Sequence, residues 1–84
     1  MSREKWLITG GAGYIGTHIA DLFIADGKDV VLIDSLYQGL ASRVDYLRKK
    51  HNTDIPLEVV DIRDYTAIEN ILEKNNFTGI VHTA

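Results

Sequence analysis

Cysteine is absent from the 84-residue sequence, and proline occurs only once, at Pro56. Without cysteine the chain can form neither a disulfide framework nor a thiolate metal site, and we expect no metal centre. No apolar run reaches the roughly 20 residues that a membrane-spanning helix requires, so we expect no membrane partner. Nine Lys and Arg stand against twelve Asp and Glu, a net charge of −3. This balance lacks the basic footprint that is typical of nucleic-acid binding.

The apolar fraction of 45% and the charged fraction of 25% are ordinary for a soluble globular protein. A chain of this length predicts one small domain at most. The N-terminal residues lead almost directly from Met1 into the first apolar run at Trp6, which leaves no room for a signal peptide. We therefore expect a cytoplasmic protein.

The sequence is organised around residues 8–16, which read Ile-Thr-Gly-Gly-Ala-Gly-Tyr-Ile-Gly. A short apolar run precedes this stretch and an amphipathic stretch follows it, as expected where a strand turns sharply into a helix. In such turns Gly10 permits the tight bend, Gly13 lets the backbone approach a pyrophosphate, and Gly16 lets the helix pack on the sheet. The open helix N-terminus then offers free N–H groups and the positive end of the helix dipole to a phosphate. The alternative interpretation is a glycine-rich turn that binds nothing.

Strand-like and helix-like segments alternate along the whole chain in a βαβαβαβ pattern. The predicted strands are Lys5–Thr9, Asp29–Asp34, Leu57–Val60 and Gly79–Ala84, and the predicted helices are Tyr14–Asp26, Ala41–Lys50 and a third that Asp64 caps. This alternation predicts an α/β protein with a parallel, doubly wound sheet, a partial Rossmann fold with strand order 3-2-1-4. The glycine turn would then lie at the crevice between strands 1 and 4, where ligands bind in such sheets.

Several side chains have a predicted place in this fold. One apolar stripe of the first helix is expected to face the sheet and consists of Ile15, Ile19, Leu22 and Phe23. The cationic run Arg48–Lys50 is expected to be a solvated helix end. His18 is expected on the surface, and His82 is expected to be packed and hydrogen-bonded within the fourth strand.

Two strand ends carry carboxylates suited to an adenosine. Asp34 ends the second strand at about the offset where dinucleotide-binding proteins place the acid that binds the adenosine ribose. Its charge would repel a 2′-phosphate, and residues 35–38 contain no Arg to neutralise one, which favours NAD over NADP. The alternative is an Asp that merely caps a turn. Asp61 and Ile62 follow the third strand and could bond the amino group of adenine and cover its ring.

Four segments resemble the extended short-chain dehydrogenase/reductases, and among them the nucleotide-sugar 4-epimerases of the UDP-glucose 4-epimerase type. They are Thr9–Gly16, Val31–Leu36, Asp61–Asp64 and Ile80–Ala84. Tyr14 is typical of the epimerases, whereas related dehydratases more often carry Phe there. Two residues depart from the pattern: Ser35 stands where the epimerases usually have Asn, and Thr83 where they usually have Phe or Leu. These departures leave room for a relative that acts on another nucleotide sugar.

The resemblance implies a bound NAD and a site for it. The implied cofactor-binding residues are Gly10, Gly13, Tyr14, Ile15 and Gly16 at the pyrophosphate, Asp34 and Ser35 near the adenosine ribose, Asp61 and Ile62 at adenine, and Thr83 and Ala84 towards the nicotinamide. The implied substrate is a nucleotide sugar such as a UDP-hexose, from which hydride is removed at C4 and to which it is returned on the other face. A Tyr acts as the base, and a Lys four residues later lowers the pKa of that Tyr.

The resemblance puts that catalytic pair after a fifth strand, beyond Ala84. Tyr46 and Lys50 have the same spacing, but they lie on the helix after strand 2, away from the nicotinamide end, and we interpret the match as chance. We therefore expect residues 1–84 to be the N-terminal part of an NAD-binding domain, without a substrate domain, without a catalytic residue and inactive alone. A nucleotide-sugar dehydratase and a non-catalytic NAD-binding module remain alternatives. The apolar edge of the fourth strand predicts self-association into a homo-oligomer.

Overall fold

Strands and helices alternate in the computed structural model of the chain, which describes residues 3–36 and 40–83. In chain order the elements are β1 (Lys5–Thr9), α1 (Tyr14–Ala25), β2 (Asp29–Asp34), α2 (Ala41–His51), β3 (Leu57–Val59), α3 (Tyr65–Lys74) and β4 (Gly79–His82). The longest helix, α1, has 12 residues. Within the described ranges no helix is long and apolar enough to cross a membrane.

The four strands form one parallel sheet in the order β3-β2-β1-β4, which confirms the predicted α/β fold and strand order. Strand β1 pairs with both β2 and β4, and Thr9 lies opposite Ile33 on one side and His82 on the other. Because all strands run the same way, their carboxyl ends meet at one edge. That edge carries the glycine turn and the ends of β2, β3 and β4.

Alternate residues of the central strands point to opposite faces of the sheet, and each face has its own core. Ile8 and Leu32 pack with the α1 and α2 residues Ala20, Val44 and Leu47 on one face. On the other face Leu7, Val31, Ile33 and the α3 residue Ile71 pack together. Burial on both faces accounts for the continuous apolar run of β2.

The predicted apolar stripe of α1 is wrong at two of its four positions. Ile15 is 64% exposed and Leu22 is 58% exposed, whereas Gly16 and Ala20 are buried. A Cβ atom at Gly16 would clash with the carbonyl oxygen of Gly10, so the helix lies very close to the turn. That close approach selects the face with small residues, and Ile15, about 100° further around the helix from Gly16, is left exposed to solvent.

The ends of several elements also differ from expectation. Strand β3 ends one residue earlier, at Val59, and β4 ends at His82. The cationic run at the end of α2 is not simply solvated: the Arg48 guanidinium donates to the carbonyl oxygen of Ile55 from Nε (3.1 Å) and Nη2 (2.6 Å). Lys50 Nζ donates to Asp21 of α1 (2.8 Å) and so joins the two helices. The predicted Asp64 cap of α3 is confirmed, since its carboxylate accepts from the Ala67 N–H (3.2 Å).

Candidate functional site

The turn between β1 and α1 is packed tightly against β2. Gly10 has a φ of +67°, a conformation that favours glycine, and its carbonyl oxygen accepts from the Gly13 N–H (3.0 Å). The Gly11 N–H donates to the carbonyl oxygen of Ile33 (3.0 Å). A Cβ atom at Gly11 would lie 2.6 Å from the Cβ of Leu32, so a larger residue does not fit there. The glycines therefore fix the position of the turn relative to the sheet.

The N-terminus of α1 is open at the same edge. Gly13 is the N-cap residue and offers no side chain to the first turn of the helix, whose leading N–H groups have no partner within the helix. Tyr14 and Ile15 are 80% and 64% exposed, and Gly16 is buried behind them. The Thr17 hydroxyl donates to the carbonyl oxygens of Gly13 (2.6 Å) and Gly11 (3.1 Å) and anchors the turn from behind. This arrangement is electrostatically suited to a phosphate group.

Asp34 lies at the centre of this edge and is only 8% exposed. Its Oδ2 accepts from the Ala12 N–H of the glycine turn (2.9 Å), and its Oδ1 accepts from the Leu36 N–H (2.7 Å). The bond to Leu36 is the turn cap that the alternative interpretation of Asp34 describes. Because an ionised carboxylate has about four lone-pair sites, both oxygens keep acceptor capacity for a hydroxyl group. The structure thus combines a capping role with geometry that leaves a ribose contact open.

The ends of β2 and β3 and the glycine turn enclose one small cavity of about 90 Å³. Five of the predicted site residues line it: Gly10, Asp34, Ser35, Asp61 and Ile62. Ser35 is exposed, and Ile62 is 38% exposed. The carboxylate of Asp61 is held by hydrogen bonds from Arg63, which lower the pKa of Asp61 to about 2. Three segments that are far apart in sequence are therefore brought to one place.

The end of β4 is tied to the glycine turn. The Thr83 N–H and hydroxyl both donate to the carbonyl oxygen of Thr9, at 3.2 and 2.5 Å. Ala84 lies outside the described residues. The prediction that His82 is packed is wrong, because β4 is an edge strand and the side chain is exposed. Its hydrogen bond is confirmed, since Nδ1 lies 2.6 Å from the Thr9 hydroxyl oxygen.

Arg43 is a site residue that the sequence did not reveal. From the first turn of α2 its Nη1 donates to the carbonyl oxygen of Ala12 (3.1 Å), which also accepts from the Leu40 N–H (3.0 Å). A cation thus reaches the turn from a segment that the sequence predicts only as the second helix. The spacing of Arg43 from the glycines carries no signal of this contact, because the crossover between them brings the two together.

A larger cleft, of about 370 Å³, lies between α1 and α2 and is lined by Tyr14, His18 and Tyr46 among others. His18 is exposed, as predicted. Tyr46 is 61% exposed, while Lys50 bonds to Asp21. That the Tyr46–Lys50 spacing is a chance match stays a prediction. Over residues 3–36 and 40–83 no group of His, Asp and Glu side chains is placed to hold a metal ion.

Nearly the whole chain matches one protein-family model. The family model described as GDP-mannose 4,6 dehydratase matches residues 7–84, from the middle of β1 to the last residue. The chain belongs to this family. The match covers every element from β1 onward, including all of the predicted site residues.

Several UDP-glucose 4-epimerases are similar to this chain in sequence and in structure. It is 35% identical to the enzyme of Neisseria gonorrhoeae over 93% of this chain and 23% of the relative. The solved UDP-glucose-4-epimerase of Stenotrophomonas maltophila, with bound NAD and formylated UDP-arabinopyranose, superposes with a TM-score of 0.92 and 32% identity. That superposition covers 98% of this chain and 24% of the other. The enzyme of Bifidobacterium longum, in complex with NAD+ and UDP, matches with a TM-score of 0.90 and 27% identity over 95% of this chain and 24% of that one. The chain thus spans about a quarter of the length of these relatives.

Proposed function

We propose that the chain is the NAD-binding portion of a nucleotide-sugar 4-epimerase, the N-terminal part of a Rossmann domain whose substrate domain lies outside residues 1–84. The observation that carries this proposal is the contact between the buried Asp34 carboxylate and the Ala12 N–H of the glycine turn (2.9 Å). That contact puts an acceptor for ribose hydroxyls beside an open helix N-terminus suited to a pyrophosphate. The solved relatives that contain NAD support the choice of cofactor.

Each predicted site residue has a role in this proposal. The turn residues Gly10, Gly13 and Gly16 with Tyr14 and Ile15 hold the pyrophosphate, Asp34 and Ser35 the adenosine ribose, Asp61 and Ile62 the adenine, and Thr83 and Ala84 the nicotinamide side. The adenosine residues gain support from the cavity that they line together. Thr83 gains support from its bonds to the Thr9 carbonyl oxygen, which keep it at the carboxyl end of β1. NAD, when bound, supplies the hydride acceptor.

Calorimetric titration of the chain with NAD and with NADP tests the cofactor proposal. The negative charge of Asp34 disfavours a 2′-phosphate, so we expect NAD to bind more tightly than NADP by roughly tenfold or more. In Asp34→Asn the repulsion is removed, so the dissociation constant for NADP divided by that for NAD should fall. The ratio is the useful readout, because a loss of folded protein lowers the apparent affinity for both ligands by the same factor. Equal binding of NAD and NADP by the unmutated chain, or no binding of either, would overturn the proposal.

The second part of the proposal concerns catalysis in the longer protein that the relatives represent. We propose that hydride is removed from and returned to C4 of a UDP-hexose, with a Tyr base and a Lys that lie outside these 84 residues. The chain alone should then show no epimerase turnover with NAD and UDP-galactose. Turnover by the chain would contradict the assignment of the catalytic pair. A gene product that contains this chain but lacks Tyr-x-x-x-Lys on a later helix would favour the non-catalytic NAD-binding module.

A nucleotide-sugar dehydratase is the second candidate, because the family model that matches is described by a dehydratase activity. Two observations favour the epimerase instead: Tyr14 is typical of the epimerases, and UDP-glucose 4-epimerases are among the relatives of the chain. The products distinguish the two activities. An epimerase returns an isomer of the same mass, whereas a dehydratase product is lighter by one water, which mass spectrometry of the nucleotide sugar resolves.

The free edge of β4 supports a proposal of self-association. Strand β4 is the last strand of the sheet, it pairs with β1 on one side, and Ile80 is 53% exposed. An unpaired apolar edge favours pairing with another chain. We expect sedimentation velocity of the chain to show a concentration-dependent dimer. A monomer at every concentration would contradict this.

A further inference from the structure

The carboxylate of Asp61 is held by three donors from one residue, Arg63. The Arg63 backbone N–H donates to Oδ1 (2.9 Å), Nε donates to Oδ1 (3.1 Å) and Nη2 donates to Oδ2 (2.8 Å). The side chains of Arg63 and Asp61 are 86% and 44% exposed. Ion pairs at this level of exposure contribute little to stability, so the bonds between Arg63 and Asp61 add little to the stability of the fold.

The Asp61 carboxylate keeps one acceptor site that Arg63 does not occupy. Each carboxylate oxygen offers about two lone pairs. Two Arg63 donors occupy those of Oδ1, whereas one donor contacts Oδ2, and a single acceptor site therefore remains on Oδ2. The same bonds lower the pKa of Asp61 to about 2, which keeps the group ionised and able only to accept.

The residues around Asp61 indicate which ligand groups could donate to the remaining Oδ2 acceptor site. Asp61 and Ile62 line the small cavity together with Asp34, the residue proposed to hold the ribose. A flat base attached to that ribose would lie against the aliphatic Ile62 side chain with its polar edge towards Asp61. An exocyclic amino group would donate to Oδ2, whereas a carbonyl group at the same ring position would be repelled by it.

We propose that Arg63 is a positioning residue that fixes the Asp61 carboxylate with one Oδ2 acceptor directed at the base, and so makes the site prefer adenine to hypoxanthine. This inference rests on the proposed NAD site and deepens it. Arg63 is not among the residues that line the cavity, so in this proposal it acts through Asp61 and not on the base. Its two side-chain bonds form a planar fork that stops rotation of the carboxylate about the Cβ–Cγ bond, which the backbone N–H bond alone cannot do.

The experiment compares NAD with nicotinamide hypoxanthine dinucleotide, which has a carbonyl in place of the adenine amino group. Both are titrated calorimetrically into the chain and into Arg63→Ala and Arg63→Lys. The control is Arg3→Ala, which removes an exposed guanidinium paired with Asp29 (3.2 Å) at the opposite edge of the sheet. A hydrogen bond to a charged but half-exposed acceptor corresponds to a preference of roughly tenfold for NAD in the unmutated chain.

We expect Arg63→Ala to reduce that preference to about twofold or less, since the released carboxylate can rotate to meet either ring edge. Arg63→Lys keeps the charge but not the fork, so it should lose the preference while retaining more of the affinity. Arg3→Ala should keep the preference. An unchanged preference in Arg63→Ala, or a full preference in Arg63→Lys, would overturn the inference, the second because charge alone would then suffice. If NAD itself does not bind to the unmutated chain, the proposed function fails; if it binds without preference, only the inference fails.

Discussion

Replacing Asp34 with Asn should destabilise the chain even when no cofactor is present. The carboxylate is 8% exposed and accepts from two backbone N–H groups, of Ala12 (2.9 Å) and Leu36 (2.7 Å). Each charge-assisted bond contributes about 1.5–3 kcal/mol. An amide keeps one accepting oxygen and turns donors towards the other N–H, so Asp34→Asn should lower the free energy of unfolding by about 1.5–3 kcal/mol. A chain of this size has a total of only about 4–13 kcal/mol, which is why Asn is chosen over Ala.

Urea unfolding followed by the fluorescence of Trp6, the only tryptophan, measures this effect. With a slope near 1 kcal/mol per molar urea, the midpoint should fall by about 1.5–3 M. Asp29→Asn is the matched control: it makes the same change at the first residue of the same strand, where the side chain is 51% exposed and forms an ion pair with Arg3. That variant should stay within about 0.5 kcal/mol of the unmutated chain. Equal midpoints for the two variants would refute the structural role of Asp34.

Three further substitutions test the glycine turn, the end of α1 and the junction between α1 and α2. Gly13→Ala should weaken the binding of NAD by about tenfold, because its methyl group would lie where the proposed pyrophosphate approaches the backbone. Its φ of −79° suits any residue, but the Cβ atom would lie 3.2 Å from the Gly10 carbonyl oxygen at the N-cap of α1, so we expect a loss of about 0.5–1 kcal/mol of stability as well. Gly27→Ala is the control. Because Gly27 has a φ of +82°, this variant should lose about 1 kcal/mol of stability in urea unfolding, whereas its affinity for NAD, measured by calorimetry, should be unchanged. The pKa of Asp21 is lowered from 3.8, first by the Lys50 hydrogen bond and then by that of His51. Its stabilisation is therefore complete above the unfolded pKa of 3.8 and is lost as pH falls below it, so urea midpoints at about pH 6 and pH 3 should differ less in Asp21→Asn than in the unmutated chain. An equal acid response in both would contradict the role of this junction.

The order of the strands could be predicted from the sequence because it depends on patterns that are local and regular. The β2 run from Asp29 to Asp34 is apolar throughout its interior, which indicates burial on both faces, and glycine marks where β1 turns into α1. Handedness rules for parallel crossovers then leave few arrangements. The carboxyl ends of the strands meet at one edge in all of them, so the placing of Asp34 and Asp61 near the glycine turn follows from topology alone.

Rotation of a helix about its axis is not determined in the same way. The α1 sequence offers two candidate faces, one with Ile15 and Leu22 and one with Gly16 and Ala20. Hydrophobicity favours the first face, but close approach to the turn requires the absence of a Cβ at Gly16 and selects the second. Contacts between distant segments are hidden for a related reason. Nothing near Arg43 indicates that its guanidinium reaches Ala12, since the partner is a backbone carbonyl group, which every residue has.

The glycine turn is held through both backbone groups of a single residue, Ala12. Its N–H donates to Asp34, and its carbonyl oxygen accepts from Leu40 and Arg43. These bonds use the backbone groups of Ala12 itself and leave the leading N–H groups of α1, which follow Gly13, directed at the open edge. In the proposed NAD site, a loop so constrained would lose little conformational entropy when a pyrophosphate binds, and this preorganisation would raise the affinity. Under that proposal the turn glycines give the ligand access to the backbone, while the carboxylate of β2 and the first turn of α2 restore the rigidity that glycine removes.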